Sequence, residues 1–187
     1  MKRIKTVVAA FTLVMAANAQ DSGFSAGLAV SLPMGDFGDV FSVGVGPSVG
    51  YDREAGDKGL LGIDLSYLFH GGAEETITKC KTLSLVGHYK YFISDIREGL
   101  YLAPLLGWSA VTYHFELEIP GLLSLSSDES TGGLTFGAGV GYFLSERIDL
   151  GLNYTIIRAT EDGDATASAG ESSTSLGALG IRAAYCF

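Results

Sequence analysis

The chain has 187 residues, 12 basic against 21 acidic side chains for a net charge of −9, and 26 glycines. So acidic a protein is a poor partner for nucleic acid, whose phosphates would repel it. Mean hydropathy is nevertheless +0.30, and no apolar run after residue 19 approaches the ~20 residues of a membrane-spanning helix, so the apolar residues must be distributed in another way.

The N-terminus reads as a targeting segment. Lys2, Arg3 and Lys5 form a short basic region, residues 7–17 are apolar apart from Thr12, and Ala17-Asn18-Ala19 supplies the small-x-small pattern of a cleavage site. A membrane anchor is the competing reading, but this core is about half the length needed to span a bilayer. Residues 1–19 are therefore expected to be a cleaved signal peptide, with Gln20 as the new N-terminus. The remaining 20–187 carry 9 basic and 21 acidic residues, a net charge of −12, in a length suited to one domain.

From there the chain alternates. Successive strand side chains face opposite sides. Phe24, Ala26, Leu28 and Val30 oppose Ser25, Gly27, Ala29 and Ser31; Val43, Val45, Val49 and Tyr51 oppose Gly44, Gly46, Ser48 and Gly50. Leu61, Ile63, Leu65, Tyr67 and Phe69 oppose Gly62, Asp64 and Ser66, and Leu83, Leu85, Tyr89 and Tyr91 oppose Thr82, Ser84, His88 and Lys90. A fifth strand at about 100–115 has Leu and aromatic residues on both parities, and its Pro104 removes a backbone donor. Leu134, Phe136, Ala138, Val140 and Tyr142 then oppose Thr135, Gly137, Gly139 and Gly141. Leu150, Leu152, Tyr154 and Ile156 oppose Asp149, Gly151, Asn153 and Thr155, and Leu179, Ile181, Ala183, Tyr185 and Phe187 oppose Ala178, Gly180, Arg182, Ala184 and Cys186.

Eight strands of roughly ten residues suit a tilted crossing of a bilayer. Short polar connections (52–59, 94–99, 145–148) alternate with generally longer ones (33–41, 70–79, 116–130, 161–173), as in barrels with brief periplasmic turns and larger extracellular loops. The expectation is an all-β, eight-stranded antiparallel transmembrane β-barrel with both termini on the periplasmic side. A soluble sandwich or lipocalin-type barrel is the alternative, because alternation does not say which face is inside. The membrane reading rests on a Gly-, Ser- and Thr-rich polar face, on tyrosines near strand ends of the apolar face, and on the terminal Phe187.

The chain resembles the outer-membrane protein β-barrel domain family, the broad group of small barrels of Gram-negative bacteria that includes OmpX-like and OmpA-barrel-like proteins. The resemblance covers essentially all of 20–187. It is carried by Pro33-Met34-Gly35-Asp36-Phe37, by the stretch from Gly137 to Leu144, and by Tyr185-Cys186-Phe187. It implies a porin-like architecture at the cell surface, contact with outer-membrane lipid, and recognition of Tyr185 and Phe187 by the barrel-assembly machinery. Activity does not follow, because one fold hosts many functions.

No catalytic, cofactor-binding or metal site is expected. Two residues beyond His70, His88 and His114 stand Gly72, Lys90 and Glu116, so a His-x-Ser arrangement is absent. His70, followed by Glu74 and Glu75, reads as a solvated residue of the outer rim. Cys80 and Cys186 fall at opposite ends of the barrel, far beyond the ~7 Å reach of a disulfide, and both are expected free. Gly44-Val45-Gly46 and the 137–141 glycines lack the following helix and Lys of a phosphate loop.

Two groups of residues stand out. Asp64, His88, Lys90, Asp149, Asn153 and Arg182 share the inward face, and an isolated charge there is costly. They are expected to form a lumen network with Lys90 and Arg182 paired to Asp64 and Asp149. Ile119, Leu122, Leu123 and Leu125 are apolar residues of an extracellular loop, a candidate contact surface or a segment that folds onto the rim or dips into lipid. The favoured function is a structural or surface-interaction role, with an unidentified host or cell-surface ligand. The alternatives are a narrow transporter of small apolar molecules and a lipid-modifying enzyme.

Overall fold

The computed structural model describes residues 23–72, 77–119, 123–160 and 173–187. Eight strands follow one another: β1 (Phe24–Met34), β2 (Phe41–Glu54), β3 (Gly59–Gly72), β4 (Ile77–Phe92), β5 (Gly99–Ile119), β6 (Leu123–Ser145), β7 (Ile148–Thr160) and β8 (Ser173–Cys186). Each pairs with its neighbour in sequence, and β8 returns antiparallel to β1 from Ser25↔Cys186 to Met34↔Gly177, which closes the barrel. The Phe187 amide donates to the Phe24 carbonyl at the lower end of that seam. Closure leaves no strand edge within the wall, the condition for a sheet in lipid.

The inside and outside faces follow the sequence alternation. Leu28 and Leu106 are each 61% exposed on the outer surface, and Leu61, Phe69, Trp108, Leu134 and Leu144 share that surface. Large apolar side chains exposed around the whole wall exclude a water-facing exterior. Tyr51, Tyr91, Tyr142 and Tyr185 ring the end that holds the short turns. The facing of β5 is also resolved. Tyr101, Ala103, Ser109 and Val111 point inward and are buried, while Leu102, Leu106 and Trp108 point outward. Pro104 causes no slip, because His88↔Leu105 and Tyr91↔Leu102 keep one register on either side of it.

The connections depart from expectation at both ends. β2 runs to Glu54 and incorporates Asp52, which the sequence reading assigned to a turn. In place of a loop at 33–41, β1 continues to Met34 and a short helix, α1 (Asp36–Val40), folds inward. β3 reaches Gly72, so His70 is a strand residue. Most of the 116–130 segment also becomes strand, with β5 and β6 paired as far as Ile119↔Leu123. Residues 161–172 lie outside the described residues.

Candidate functional site

The lumen is organised in layers. At the turn end, Leu60, Phe92, Tyr101, Ala103, Phe143 and Cys186 form an apolar cluster, with Ile96 of the β4–β5 turn packed against it. At the opposite end Phe37 of α1 joins Phe41, Cys80, Val111, Ile157 and Leu176 in a second. Phe37 meets Phe41 edge-on at 5.2 Å. The two free cysteines thus belong to separate clusters at opposite ends.

Above the lower cluster lies a ring of alternating acidic and basic groups. Lys90 Nζ donates to Asp52 Oδ2 at 2.9 Å and to Asp149 Oδ2 at 3.0 Å. Arg182 Nη1 donates to the same Asp149 oxygen at 3.1 Å, and Arg182 Nη2 lies 3.1 Å from Asp64 Oδ1. His88 completes the circuit, with Nε2 2.6 Å from Asp52 Oδ1 and Nδ1 3.1 Å from Asp64 Oδ2. Three carboxylates therefore alternate with two permanent cations and one imidazole, and protonation of His88 would balance the charge. The Tyr101 hydroxyl adds a bond to Asp149 Oδ1 at 2.7 Å, and Arg182 Nη2 donates to Ser25 Oγ at 2.7 Å. β1, β2, β3, β4, β5, β7 and β8 each contribute a side chain, so the ring fastens the wall across its interior.

Glycine makes room for this ring. Gly62 is the direct strand neighbour of both Asp52 and His88, and a Cβ there would collide with Asp52 Oδ1 and His88 Nε2. Gly141 of β6 leaves the space that the Tyr101 ring fills.

Of the six residues singled out as a lumen network, five are ring members. Asn153 is not; it stands in the cavity wall beside Arg182 and against Gly180. Lys90 is paired with Asp52 and Asp149 rather than with Asp64. Asp52 and Tyr101 are the residues that sequence reasoning missed. Asp52 shares the parity of Ser48 and Gly50, and that parity was the available signal.

His70 differs most from expectation. Instead of sitting solvated on the rim it is 4% exposed. Its Nδ1 lies 3.1 Å from the Ser42 carbonyl oxygen and its Nε2 3.3 Å from Thr82 Oγ1, and Phe37 lies beside it, with ring centroids 5.9 Å apart. The carbonyl can only accept, so Nδ1 carries the proton and Nε2 accepts from Thr82. Burial follows because β3 extends past the expected boundary and Gly44 opposite leaves room for the imidazole. Glu74, Glu75 and Leu122 lie outside the described residues. Ile119, Leu123 and Leu125 fall on the paired ends of β5 and β6 rather than in a loop. Tyr185 and Phe187 face outward at the lower end, where the Tyr185 hydroxyl accepts from Arg147 Nη1 at 3.0 Å.

A closed eight-stranded barrel with an apolar skin, interfacial tyrosines and an ion-paired lumen defines the class of small outer-membrane barrels. The chain belongs to the outer membrane protein beta-barrel domain family, whose model matches residues 6–187, and its place is the bacterial outer membrane. Among solved structures it is similar to Ail, the attachment invasion locus protein of Yersinia pestis, with a TM-score of 0.59 at 19% identity over 89% of this chain and 97% of that one. It is similar to the N-terminal β-barrel domain of Pseudomonas aeruginosa OprF, with a TM-score of 0.57 at 15% identity over 89% and 100% of the two chains. Neisserial surface protein A compares equally, with a TM-score of 0.57 at 17% identity over 89% and 98%. No curated protein sequence matches significantly. At these identities the structural likeness establishes the fold.

Proposed function

We propose that this protein is a surface-interaction barrel, a closed anchor that presents an extracellular hairpin to a partner outside the cell. One observation carries the reading. The β6–β7 pairing ends at Gly133↔Ala159 and the β4–β5 pairing at Ile77↔Phe115, yet β5 and β6 stay paired with each other to Ile119↔Leu123. Beyond Phe115↔Ser127, the last rung that β4 flanks, the hairpin runs on to Leu123 for about 14 Å at ~3.4 Å per residue. A bare anchor has no use for such an extension.

The sequence of the outer segments describes the partner. Glu116, Glu118, Asp128 and Glu129 lie on the hairpin strands, and Glu74, Glu75, Glu161, Asp162, Asp164 and Glu171 in the adjoining connections, against Lys79, Lys81 and Arg158. Ail has been seen in complex with the heparin analogue sucrose octasulfate; the acidic outer segments here favour a basic partner over such a polyanion. The sequence from 119 to 125, with Ile119, Leu122, Leu123 and Leu125, supplies apolar residues for the same contact. The apolar skin contacts outer-membrane lipid, and Tyr185 with Phe187 forms the end engaged by the assembly machinery. Residues 1–19 act as the export signal. The two apolar clusters and the ionic ring favour this role over transport, and the coverage of His70 by Phe37 favours it over enzymatic chemistry.

The test is a variant whose hairpin is cut back to the level of Phe115 and Ser127, the last rung that β4 flanks, and closed by a short turn. Heat-modifiable gel mobility should show normal folding. Bacteria displaying the variant should lose attachment to immobilised basic matrix proteins that the full-length barrel supports. Equal attachment by both refutes the hairpin's role. Steady, large conductance of the wild-type barrel in a planar bilayer would instead move transport to the front.

A further inference from the structure

At the outer end of the lumen, Phe37 is carried on α1, five residues of sequence Asp-Phe-Gly-Asp-Val. So short a helix, with glycine at its centre, has little stability of its own. No side chain caps its N-terminus, and Gly35 before it has φ 61° and ψ −145°, a conformation open almost only to glycine. α1 is therefore held in place chiefly by what Phe37 packs against.

The wall around Phe37 is held without it. Phe41 stacks on Tyr113 at 5.2 Å, with the ring planes 14° apart. It reaches Tyr113 because the β2–β3 register shifts between Phe41 and Gly44. Val43 and Val45 face outward, whereas Phe41, of the same parity, is turned inward and buried. Irregularities of this kind at barrel rims re-aim a side chain. His70 is fixed by the Ser42 carbonyl and by Thr82 Oγ1. Cys80, Val111 and Leu176 complete the enclosure. Phe37 also borders a lumen cavity of about 120 Å³, so the pocket has depth for a ring larger than phenyl.

A preformed aromatic pocket, filled by a weakly held ring of the same chain, is the arrangement of a receptor with a built-in competitor. We propose that this pocket receives an aromatic side chain of the extracellular partner, and that Phe37 occupies it in the unbound barrel and swings out about Gly35 as the partner's ring enters. The inference rests on the surface-interaction reading and gives that reading a specific contact. The ring of Phe37 shows the chemistry the pocket accepts. Asp36 and Asp39 flank Phe37 in the sequence, and Asp39 is exposed, so basic residues beside the aromatic one suit the same partner. A closed state lowers the apparent affinity by the fraction of open barrel, which keeps an apolar pocket covered until a matching ring displaces Phe37.

The test uses the full, folded barrel in lipid nanodiscs and the peptide acetyl-Lys-Phe-Lys-amide, with binding measured by calorimetry. Gly35→Ala alters no packing, because a Cβ there would meet no atom within 4 Å; it strains only the closed backbone. Its dissociation constant should fall about fivefold or more relative to wild type. Phe37→Ala, which deletes the competitor, should bind at least as tightly as Gly35→Ala. A peptide with alanine in place of phenylalanine should bind to none of the three. Equal affinity of wild type and Gly35→Ala overturns the proposal, as does equal binding of the two peptides or no binding by Gly35→Ala. Decanol taken up in place of the peptide would assign the pocket to an acyl chain and overturn it too. Should Phe37→Ala fail to fold, Gly35→Ala still decides. The readout is peptide binding to the isolated barrel, so its failure is distinct from a failure of the hairpin to support attachment.

Discussion

Replacing Lys90 with methionine tests whether the ionic ring holds the barrel together. Methionine preserves much of the apolar stem that lies near the Tyr101 and Phe143 rings, whose centroids are 5.5 and 5.6 Å from Nζ. It deletes the cation between Asp52 and Asp149, which are 5% and 1% exposed. Removing one partner from a buried pair leaves an uncompensated buried charge and costs about 3–5 kcal/mol, a large part of the ~5–15 kcal/mol that stabilises a typical fold. Urea unfolding of the barrel refolded into lipid vesicles measures it by linear extrapolation. Trp108, the single tryptophan and 51% exposed on the lipid-facing wall, reports insertion by its fluorescence. Combining Lys90→Met with Asp52→Asn should recover part of the loss, because Asp149 retains Arg182. Arg147→Met, which breaks an exposed contact to Tyr185, should change stability by no more than ~0.5 kcal/mol. A Lys90→Met cost below ~1 kcal/mol, the worth of an exposed ion pair, would refute the argument.

Four other outcomes are expected. Phe37→Ala should raise the reaction rate of Cys80 with a small thiol reagent at least tenfold in a Cys186→Ala background while the barrel remains heat-modifiable; unchanged reactivity would show that α1 does not seal the outer end. Gly62→Ala should destabilise the barrel by about 1–3 kcal/mol in the same urea titration, because its Cβ has to displace Asp52 or His88. Mass spectrometry of protein extracted from outer membranes should give a chain beginning at Gln20, and retention of Lys2 to Lys5 would contradict export by a cleaved signal. Deleting Phe187 should lower the folded fraction seen as heat-modifiable mobility in cells, and an undiminished yield would remove Phe187 from the assembly signal.

Much of this architecture is legible in the chain because a strand in lipid obeys a period of two without relief. Leu179, Ile181 and Ala183 must meet hydrocarbon while Ala178, Gly180 and Arg182 meet the lumen, and a one-residue slip would reverse every side chain. Strand number, face and closure follow from that constraint, as does the inward placement of Asp64, His88, Lys90, Asp149 and Arg182. Where strands end and which inward groups meet is set by other forces. The charge of Asp52 reads as a turn until Lys90 and His88, 38 and 36 residues away along the chain, are brought alongside to compensate it. His70 reads as a rim residue until Phe37 folds over it. β5 is ambiguous by pattern because its inward face is itself apolar, Tyr101 and Ala103 completing a cluster with residues from four other strands. Local alternation reports only which side of the sheet a residue occupies. The stagger of a closed barrel decides which residues share a level inside it, and that stagger appears only once the eighth strand has paired with the first.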